Sequence, residues 1–351
     1  MKPEILAPVG SMEALNAALA AGCDAVYFGL PSFGARAFAN NFDLKTTKEV
    51  IERCHLCGVK VYITMNIILY EDEIEDAYNM AKKVHSFGVD ALIIQDLGFI
   101  HLLHHRLPNL VLHASTQLSV SNPYQIEQLK KLGVKRVVLA RECTKEEIQA
   151  CVDTGIEVEV FVHGALCICY SGQCYFSSVH YGRSGNRGMC AQPCRMKYSL
   201  YEDGNKVDTH GDYVLSPKDL SLMDEVNTLA NMGVCSLKIE GRMKSAPYVY
   251  ESVSQVKKVL ENIQRSNLDE QNLRVTFNRE YTLGHMYKES GNELMNSKTC
   301  NHQGIEIGKV VKVNKNKICI QLSQDLHQND GIRFERENLG CHVNFMYDKK
   351  Q

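Results

Sequence analysis

Short apolar runs alternate with segments of helical period over the first three quarters of the chain. The runs at 4–9 and 25–29 are apolar almost throughout, as expected for strands buried on both faces of a sheet. Between them, residues 12–21 place apolar side chains at helical spacing, and Ser11 is a suitable N-cap. The pattern predicts strands at 4–9, 25–29, 60–65, 91–94, 110–113, 136–140, 157–162 and 236–239, and helices at 12–21, 45–57, 71–87, 97–105, 123–132, 144–154, 218–232 and 246–263.

Eight predicted strands, separated mostly by single helices, favour one class of fold. Alternation of strand and helix indicates parallel pairing, and eight strands fit an α/β fold of the TIM-like (β/α)8 barrel type better than an open doubly wound sheet. The first strand is not followed by the GxGxxG pattern of dinucleotide-binding folds. Glycines in the turns before five of the strands suit the left-handed end of a helix, and they are Gly22, Gly58, Gly88, Gly133 and Gly233.

Other segments interrupt or follow this barrel domain, which we place at 1–264. A cysteine-rich insertion at 163–233 separates strands seven and eight, and a hairpin is predicted at its Asp-Gly pair ending in Gly204. Residues 265–303 have little periodicity and are predicted as a connector. Apolar and polar positions alternate over 304–351, which predicts a small C-terminal antiparallel β module. So short a module is either a truncated barrel or one that packs on the larger domain.

Composition narrows the class of protein. Hydrophobic residues make up 44% and charged residues 23% of the 351 residues, as in ordinary globular proteins. The net charge of −2 means that any nucleic-acid contact needs a local basic patch. No apolar run reaches the ~18 residues of a membrane span, and the N-terminus lacks the features of a signal peptide. We therefore expect a cytoplasmic protein without membrane contact, in which the cysteines do not form a disulfide framework.

Polar side chains follow nearly every predicted strand. The active site of such a barrel lies at the carboxyl ends of the strands, so these side chains are candidates for one site. Polar groups at strand ends also commonly satisfy loop backbones, which is the alternative explanation. The set comprises the catalytic candidates Arg141, His163, Lys238, Glu240 and Arg242, the substrate-binding candidates Asn66, Gln95, His113 and Gln117, and their neighbours Asp96, Ser115 and Glu142.

Five of the fourteen cysteines lie within the 39 residues of segment 157–195. Much of this segment has neither helical nor alternating period, and such a long irregular loop usually needs something other than a hydrophobic core to hold it. Four thiolates suit a tetrahedral zinc ion or a [4Fe–4S] cluster, and the spacing alone does not choose between them. Unligated thiols in a loop are the alternative. The predicted metal ligands are Cys167, Cys174, Cys190 and Cys194, with Cys169 and Cys235 as other candidates.

Basic and aromatic side chains alternate through the same insertion. Single-stranded RNA is gripped by this mixture of stacking and phosphate contact, although a solvated loop with incidental aromatics explains it as well. Arg183 and Arg187 are the predicted substrate-binding residues here. The whole set is Tyr175, Phe176, His180, Tyr181, Arg183, Arg187, Arg195, Lys197 and Tyr198.

A second cysteine pair and several absent motifs bear on the class of enzyme. Cys54 and Cys57 form a lone CxxC at a predicted helix end, and we expect them in the core or on the helix surface. The chain has no GxSxG, HExxH or P-loop motif. Serine hydrolases, zincin metalloproteases and Walker-type NTPases therefore lack their usual sequence support.

Several blocks of the chain resemble the collagenase-like peptidases, family thirty-two of unknown catalytic type. They are PEILAPVGSMEALNAALAAGCDAVYFGL and FGARAFANNF near the N-terminus, FVHGALCICYSGQCYFSS and NRGMCAQPCR in the insertion, and SLKIEGRMKS at strand eight. The similarity covers about residues 3–260, and the β module resembles a small barrel appended to some members. The family was named for proteolysis, but several bacterial members are RNA or quinone hydroxylation proteins.

The resemblance favours the branch that makes 5-hydroxyuridine at the tRNA wobble position using prephenate. It implies an RNA-modifying enzyme of oxidoreductase type with a [4Fe–4S] cluster, zinc being the alternative. Cys167, Cys174 and Cys190 match cluster cysteines of such members, and Cys194 is favoured over Cys235 as the fourth ligand. The implied partners are tRNA, prephenate or a similar small carboxylate, and a related family subunit.

Two other hypotheses remain open. A peptidase needs a nucleophile or a metal-bound water, and Cys169 or Cys174 with His163 is the candidate pair. A four-thiolate metal site, however, is usually closed and structural. A non-catalytic RNA-binding partner with a structural metal is the other hypothesis. In the favoured hypothesis, Arg141, His163 and Arg242 bind a substrate carboxylate or phosphate.

Overall fold

A computed structural model describes residues 2–36, 41–315, 317–335 and 339–347 of the chain. Part of the block FGARAFANNF therefore lies outside the described residues. The chain divides into two compact units, Met1–Gln303 and Gly304–Gln351.

Eight parallel strands of the first unit close into a barrel, which confirms the predicted fold. Each of the first seven strands pairs with the next, and the last barrel strand pairs with both the first and the seventh. The elements up to the seventh strand are β1 (Glu4–Pro8), α1 (Met12–Ala21), β2 (Ala25–Gly29), α2 (Leu44–Leu56), β3 (Lys60–Met65), α3 (Ile74–Ser86), β4 (Ala91–Ile94), α4 (Leu97–Arg106), β5 (Leu112–Ala114), α5 (Pro123–Lys131), β6 (Arg136–Val138), α6 (Lys145–Val152) and β7 (Glu157–Ala165).

The insertion and the remaining elements of this unit follow β7. The predicted hairpin is confirmed: Asp203 and Gly204 have φ angles of 49° and 81°, as a tight two-residue turn of the I′ type requires. These elements are α7 (Phe176–Tyr181), β8 (Tyr201–Glu202), β9 (Asn205–Lys206), β10 (Asp219–Ser221), α8 (Val226–Met232), the eighth barrel strand β11 (Ser236–Ile239), α9 (Ala246–Leu260), α10 (Asn267–Thr276) and β12 (Tyr281–Thr282). Short 3₁₀ helices lie at Glu71–Glu73, Thr116–Leu118, Gly185–Arg187, Pro193–Arg195, Met223–Glu225, Gly284–Tyr287 and Gly291–Glu293.

The helix predicted at 218–232 is wrong in its first half. Its first residues instead form β10, which pairs antiparallel with the end of β7 and parallel with β12. Asp219 is buried there and accepts a hydrogen bond of 3.1 Å from Nε of Arg279. Pairing with distant strands and this buried ion pair override the local helical pattern, and the α-helix begins only at Val226.

The segment predicted as a connector, 265–303, is part of the first compact unit. It contains α10, whose N-cap Ser266 accepts a hydrogen bond from the backbone N–H of Asp269 at 3.2 Å. Asp269 in turn accepts one from the Ser266 N–H at 2.8 Å, which completes a capping box. Local capping, which the periodicity does not reveal, therefore gives this segment its helix.

Apolar side chains lie mainly between the strands and the surrounding helices. The five glycines in the turns before strands have φ angles of 70° to 94°, as predicted for left-handed helix ends. Within the described residues, no helix is long and apolar enough to cross a membrane. The interior of the barrel holds a small separate cluster, formed by Leu6, Ala25, Tyr27, Tyr62, Ala91 and Ile93.

The second unit consists of two antiparallel hairpins over the part of it that the structure describes, which agrees with the predicted antiparallel module. Their strands form separate two-stranded sheets. The strands are β13 (Gly308–Asn314), β14 (Lys317–Leu322), β15 (Gly331–Phe334) and β16 (Leu339–His342).

Candidate functional site

A pocket of about 50 Å³ opens at the carboxyl ends of the barrel strands, where the sequence predicts the site. Strand ends distant in sequence meet here because the barrel brings all eight together. Seven of the predicted residues or their neighbours line it, namely Asn66, Ser115, Gln117, Arg141, Lys238, Glu240 and Arg242.

One largely buried carboxylate, that of Glu240, lies among the cations of the pocket. Nη2 of Arg36 is 3.2 Å from Oε1 of Glu240, and Nη2 of Arg141 is 3.1 Å from Oε2. Burial alone would raise the pKa of Glu240, but Arg36, Arg141, Arg242 and Lys238 outweigh it and lower this pKa to about 2. Glu240 is therefore ionised at neutral pH. Its two carboxylate oxygens bridge the guanidinium groups of Arg36 and Arg141 at the pocket wall.

Arg242 and Arg141 are fixed by further contacts. Nη1 of Arg242 donates to Oγ1 of Thr64 at 2.9 Å, and the guanidinium of Arg141 lies 3.9 Å from the centroid of the Phe161 ring. Burial and the neighbouring Arg36 lower the pKa of Arg242 to about 10, so it still carries its charge at neutral pH. Held guanidinium groups lose little entropy on binding a carboxylate or phosphate, so this wall is suited to anions.

A buried chain of charges continues from the pocket into the barrel. Nζ of Lys238 is 2.8 Å from Oε1 of Glu159, and Nη1 of Arg136 is 3.3 Å from Oε2 of the same carboxylate. Arg136 also contacts Oε1 of Glu4 at 2.7 Å. Burial would raise the pKa of Glu159, but Lys238 and Arg136 lower it to about 2. The ion pair with Glu159 thus fixes the Lys238 side chain, and its Nζ lies 4.4 Å from the centroid of the Tyr27 ring.

These lowered pKa values predict a loss of stability in acid. The pKa values of Glu159 and Glu240 are about 2 in the folded chain against an ordinary 4.5. Such carboxylates stabilise the fold above about pH 4.5, and the contribution, up to about 3 kcal/mol each, is lost as pH falls toward 2. Urea denaturation at a series of pH values will measure this, and the Glu159→Gln chain will show a shallower dependence. An equal slope in that variant would contradict the assignment.

The cysteine-rich loop lies directly against the pocket wall. Oγ of the buried Ser171 accepts a hydrogen bond of 3.3 Å from the Arg141 N–H and donates one of 3.2 Å to Glu142. At Gly172 the φ angle is 75°, and a Cβ there would lie 1.9 Å from the carbonyl oxygen of Gln117. Only glycine permits this approach without a backbone shift, so the sequence Ser-Gly positions the loop over the ends of β5 and β6.

The four predicted metal ligands are free thiols in this loop. Burial raises the pKa of Cys194 to about 11, and Cys167, Cys190 and Cys174 raise it further by repulsion while Arg195 opposes them. Thiol donors of this kind suit zinc or an iron–sulfur cluster. No three His, Cys, Asp or Glu side chains of the described residues are arranged closely enough to hold a metal ion.

The alternative fourth ligand, Cys235, lies at the other end of the barrel. It precedes β11, its N–H bonds to the Val158 carbonyl, and its own carbonyl accepts from the N–H of Glu4. These positions are at the starts of the strands, whereas the pocket and the insertion are at their ends. The separation leaves Cys194 as the fourth candidate.

The two cysteines of the CxxC motif lie in different environments, since Cys54 is buried and Cys57 is exposed.

Three of the predicted catalytic and substrate-binding residues at strand ends, His163, His113 and Gln95, lie outside the described pocket lining. His163 is buried with its ring 5.5 Å from the rings of both Tyr248 and Tyr281, and burial lowers its pKa to about 4. His113 is buried in the barrel, where burial and then Arg136 lower its pKa to about 3. Gln95 does not line the pocket, but its side-chain amide donates a hydrogen bond of 3.2 Å to the carbonyl of Gln117, which does. Their functional roles stay predictions.

The two predicted arginines of the insertion make structural contacts. Arg187 is 3.0 Å from Oε2 of Glu73 and stacks 4.0 Å from the centroid of the Tyr70 ring, which joins the insertion to the loop after β3. Nε of Arg183 donates to the Met189 carbonyl at 3.0 Å. Asp96, also named at a strand end, caps α4 by accepting from the Phe99 N–H at 2.8 Å, as the alternative explanation of strand-end polar groups expects.

Sequence reasoning missed seven residues of the pocket wall: Tyr27, Ala35, Arg36, Thr64, Ile93, Thr116 and Phe161. Arg36 is the most informative, because Glu240 chiefly raises its pKa and the thiol of Cys190 adds to this effect. Arg36 contacts Glu240 at 3.2 Å in the pocket wall. The sequence feature that could have indicated Arg36 is its position in the block FGARAFANNF, in the loop after β2.

Comparison with known proteins places this geometry in a family context. The model of peptidase family U32 matches residues 10–296. The chain is 35% identical over 356 residues to the 23S rRNA 5-hydroxycytidine C2501 synthase of Escherichia coli, covering 97% of this chain and 54% of that protein. It is 40% identical over 267 residues to tRNA hydroxylation protein P1 of Bacillus subtilis, covering 74% and 63%. It is 33% identical over 335 residues to a collagenase of Porphyromonas gingivalis, covering 88% and 80%. The chain thus spans less than two thirds of the length of the first two relatives.

Proposed function

The chain belongs to peptidase family U32, and from this membership and the pocket we propose that it is an enzyme hydroxylating a pyrimidine base in RNA. The target we favour is the wobble uridine of tRNA, converted to 5-hydroxyuridine with prephenate as co-substrate. The observation that carries the proposal is the set of three arginines and one lysine around Glu240 at the mouth of the barrel. Relatives named for tRNA and rRNA hydroxylation support the choice of RNA.

The pocket supports a small carboxylate as the co-substrate. Arg36 and Arg141 each donate to one oxygen of Glu240, and Lys238 is already paired with Glu159. A guanidinium has five N–H donors, so these arginines and Arg242 keep donors for a bidentate carboxylate contact. In this proposal they bind and orient the carboxylate, and Glu240 limits the excess of positive charge before it arrives.

We propose Cys167, Cys174, Cys190 and Cys194 as ligands of a [4Fe–4S] cluster, with zinc as the alternative. Deprotonated thiolates brought together in this loop would repel one another, and a bound cationic centre would remove that cost. The cluster would supply electron transfer beside the pocket. The hydrogen bonds of Ser171 to Arg141 and Glu142 support this placement, because they keep the cysteine loop against the pocket wall.

A peptidase activity has less support. Its candidate base, His163, is buried beside Tyr248 and has a pKa of about 4, and its Nδ1 has no hydrogen-bond partner among the described residues. The thiol of Cys169 contacts the Gln173 carbonyl at 3.5 Å instead. A nucleophile activated by histidine needs the two side chains within hydrogen-bond reach. The similarity to a collagenase therefore does not change the proposal.

Deleting the gene from a strain without related genes will remove 5-hydroxyuridine from its tRNA, and the wild-type chain will restore it. The Arg141→Ala chain will restore roughly 30-fold less or lower, because one side of the carboxylate site is lost. Mass spectrometry of tRNA nucleosides measures both results. Arg53→Ala, at an exposed position on α2, is the matched control and should behave as wild type.

Three other outcomes would reject parts of this proposal. Unchanged 5-hydroxyuridine after deletion would reject the tRNA target, and a loss of 5-hydroxycytidine from rRNA instead would move the target there. Full restoration by Arg141→Ala would favour a non-catalytic binding partner.

A further inference from the structure

We propose that a row of four aromatic rings on the insertion is a stacking surface for unpaired RNA bases. The row, called the aromatic row below, consists of Tyr198, Phe176, His180 and Tyr181. The inference rests on the proposed function only in taking RNA as the macromolecular partner. The new element is the place on the protein at which an unpaired segment of that RNA is held.

The rings of the aromatic row follow one another at short, similar spacings. The centroid distances are 6.3 Å from Tyr198 to Phe176, 5.0 Å from Phe176 to His180 and 6.3 Å from His180 to Tyr181. Phe176 and His180 are four residues apart on α7 and so share one face of that helix. The ring planes are inclined to one another by 30°, 70° and 51°, so bases cannot insert between them. In this proposal each base stacks on the outer face of one ring, whatever its identity, because every base has a π face.

One end of the aromatic row is anchored and the other is open to solvent. The hydroxyl of Tyr198 donates to the Pro193 carbonyl at 2.9 Å, and the Tyr198 and Phe176 side chains are half-buried. His180 and Tyr181 are exposed, Tyr181 by 50%. These two exposed rings extend a row that is already held in place at its other end.

The charge of the surrounding sequence indicates a polyanion as the partner. Residues 164–201 contain four arginines and lysines but no aspartate or glutamate, although the whole chain has a net charge of −2. Arg187 pairs with Glu73 and Arg195 is buried, so Lys197 is the exposed cation among these four. Lys197, next to Tyr198, pairs with Asp212 at 3.0 Å, but both side chains are about 60% exposed and such pairs contribute little. Lys197 can therefore exchange this partner for a phosphate. Positive charge near the aromatic row would not strengthen the binding of an apolar peptide.

A short stretch of chain joins the aromatic row to the pocket wall. Phe176 follows Gly172 by four residues, and Gly172 lies against the Gln117 backbone. At the anchored end, the Tyr198 hydroxyl donates to the carbonyl of Pro193, the residue before Cys194, so this ring is next to the cysteine site. An enzyme that modifies a base must take it out of its stack, and stacked neighbours would hold the strand while one base enters the pocket.

The test measures binding of a fluorescein-labelled RNA hairpin with an unpaired loop to the full chain, by fluorescence anisotropy. We expect the His180→Ala/Tyr181→Ala chain to bind it roughly 5- to 100-fold more weakly. Tyr181→Phe, which keeps the ring, should bind as wild type. Tyr124→Ala removes a ring that is 85% exposed on α5 and serves as the matched control, with affinity within about twofold of wild type. A fully paired RNA duplex should bind the wild type and the double variant alike.

The outcomes separate this inference from the proposed function. Unchanged hairpin affinity in the double variant, with circular dichroism showing an intact fold, overturns the aromatic row while leaving the hydroxylation assay untouched. Equal weakening by Tyr124→Ala overturns it as well. If deletion of the gene leaves 5-hydroxyuridine in place but the double variant loses hairpin affinity, the proposed target fails and the aromatic row stands. Binding of a denatured-collagen peptide, but not the hairpin, with the same dependence on Tyr181 would assign the surface to peptides instead.

Discussion

Replacing Glu159 with alanine will lower the free energy of unfolding by about 3–5 kcal/mol. The carboxylate of Glu159 is fully buried and pairs with both Lys238 and Arg136, whose side chains are themselves buried. Its removal leaves Lys238 without a carboxylate partner and opens space in the barrel interior. Urea denaturation followed by circular dichroism at neutral pH measures the change.

Two further variants decide whether unpaired charge is the cause. Glu127 pairs with Lys130 at 2.8 Å on the exposed face of α5, so Glu127→Ala should change the unfolding free energy by less than about 1 kcal/mol. The double variant Glu159→Met/Lys238→Met should recover much of the loss, because Arg136 keeps Glu4 as a partner. Equal losses in Glu159→Ala and Glu127→Ala would contradict the role given to the buried pair.

The Cys190→Ser chain, purified without oxygen, will carry far less iron and sulfide than the wild-type chain. A serine hydroxyl is a poor replacement for a thiolate on iron, and Cys190 is an exposed free thiol of the insertion. Iron and acid-labile sulfide analysis, together with visible absorbance, measures the loss independently of RNA modification. A colourless wild-type chain that carries zinc would reject the iron–sulfur cluster and favour the alternative metal.

Two control variants sharpen this experiment. Cys57 is exposed at the end of α2, far along the chain from the insertion, and Cys57→Ser should keep the full iron content. Cys235→Ser should also keep it, since Cys235 precedes β11 and its thiol donates to the Val158 carbonyl at 3.1 Å. Loss of iron in Cys235→Ser would reject Cys194 as the fourth ligand.

The barrel and much of its pocket could be predicted from the sequence because both depend on local pattern. Buried strands show as short apolar runs, and the rule that sites lie at strand ends then selects Arg141, Lys238, Glu240 and Arg242. Arg36 escaped this rule because it lies well into the loop after β2, and its partner Glu240 is 204 positions away. No periodicity reports a contact over that distance.

A β-bulge explains why His163 does not lie at a strand end, where the sequence pattern places it. Lys238 pairs with Phe161, but the next residue of β11, Ile239, pairs with His163, so β7 contains one extra residue there. The bulge interrupts the alternation of side chains, and β7 then continues to Ala165 to pair with β10. His163 is therefore not at a strand end, and its ring packs against Tyr248 of α9. A single inserted residue is not visible in an apolar run.

The contact of Ser171 and Gly172 with the pocket wall has a thermodynamic consequence. The same backbone segments, around Gln117 and Arg141, support both the cysteine loop and the anion-binding wall. Any ligand that orders one of them also reduces the entropy that must be lost to order the other. Such coupling is reciprocal, so occupancy of the loop tightens binding in the pocket by the same factor as occupancy of the pocket tightens binding in the loop. If the loop and the pocket both bind ligands as proposed, the two sites will fill as a cooperative pair.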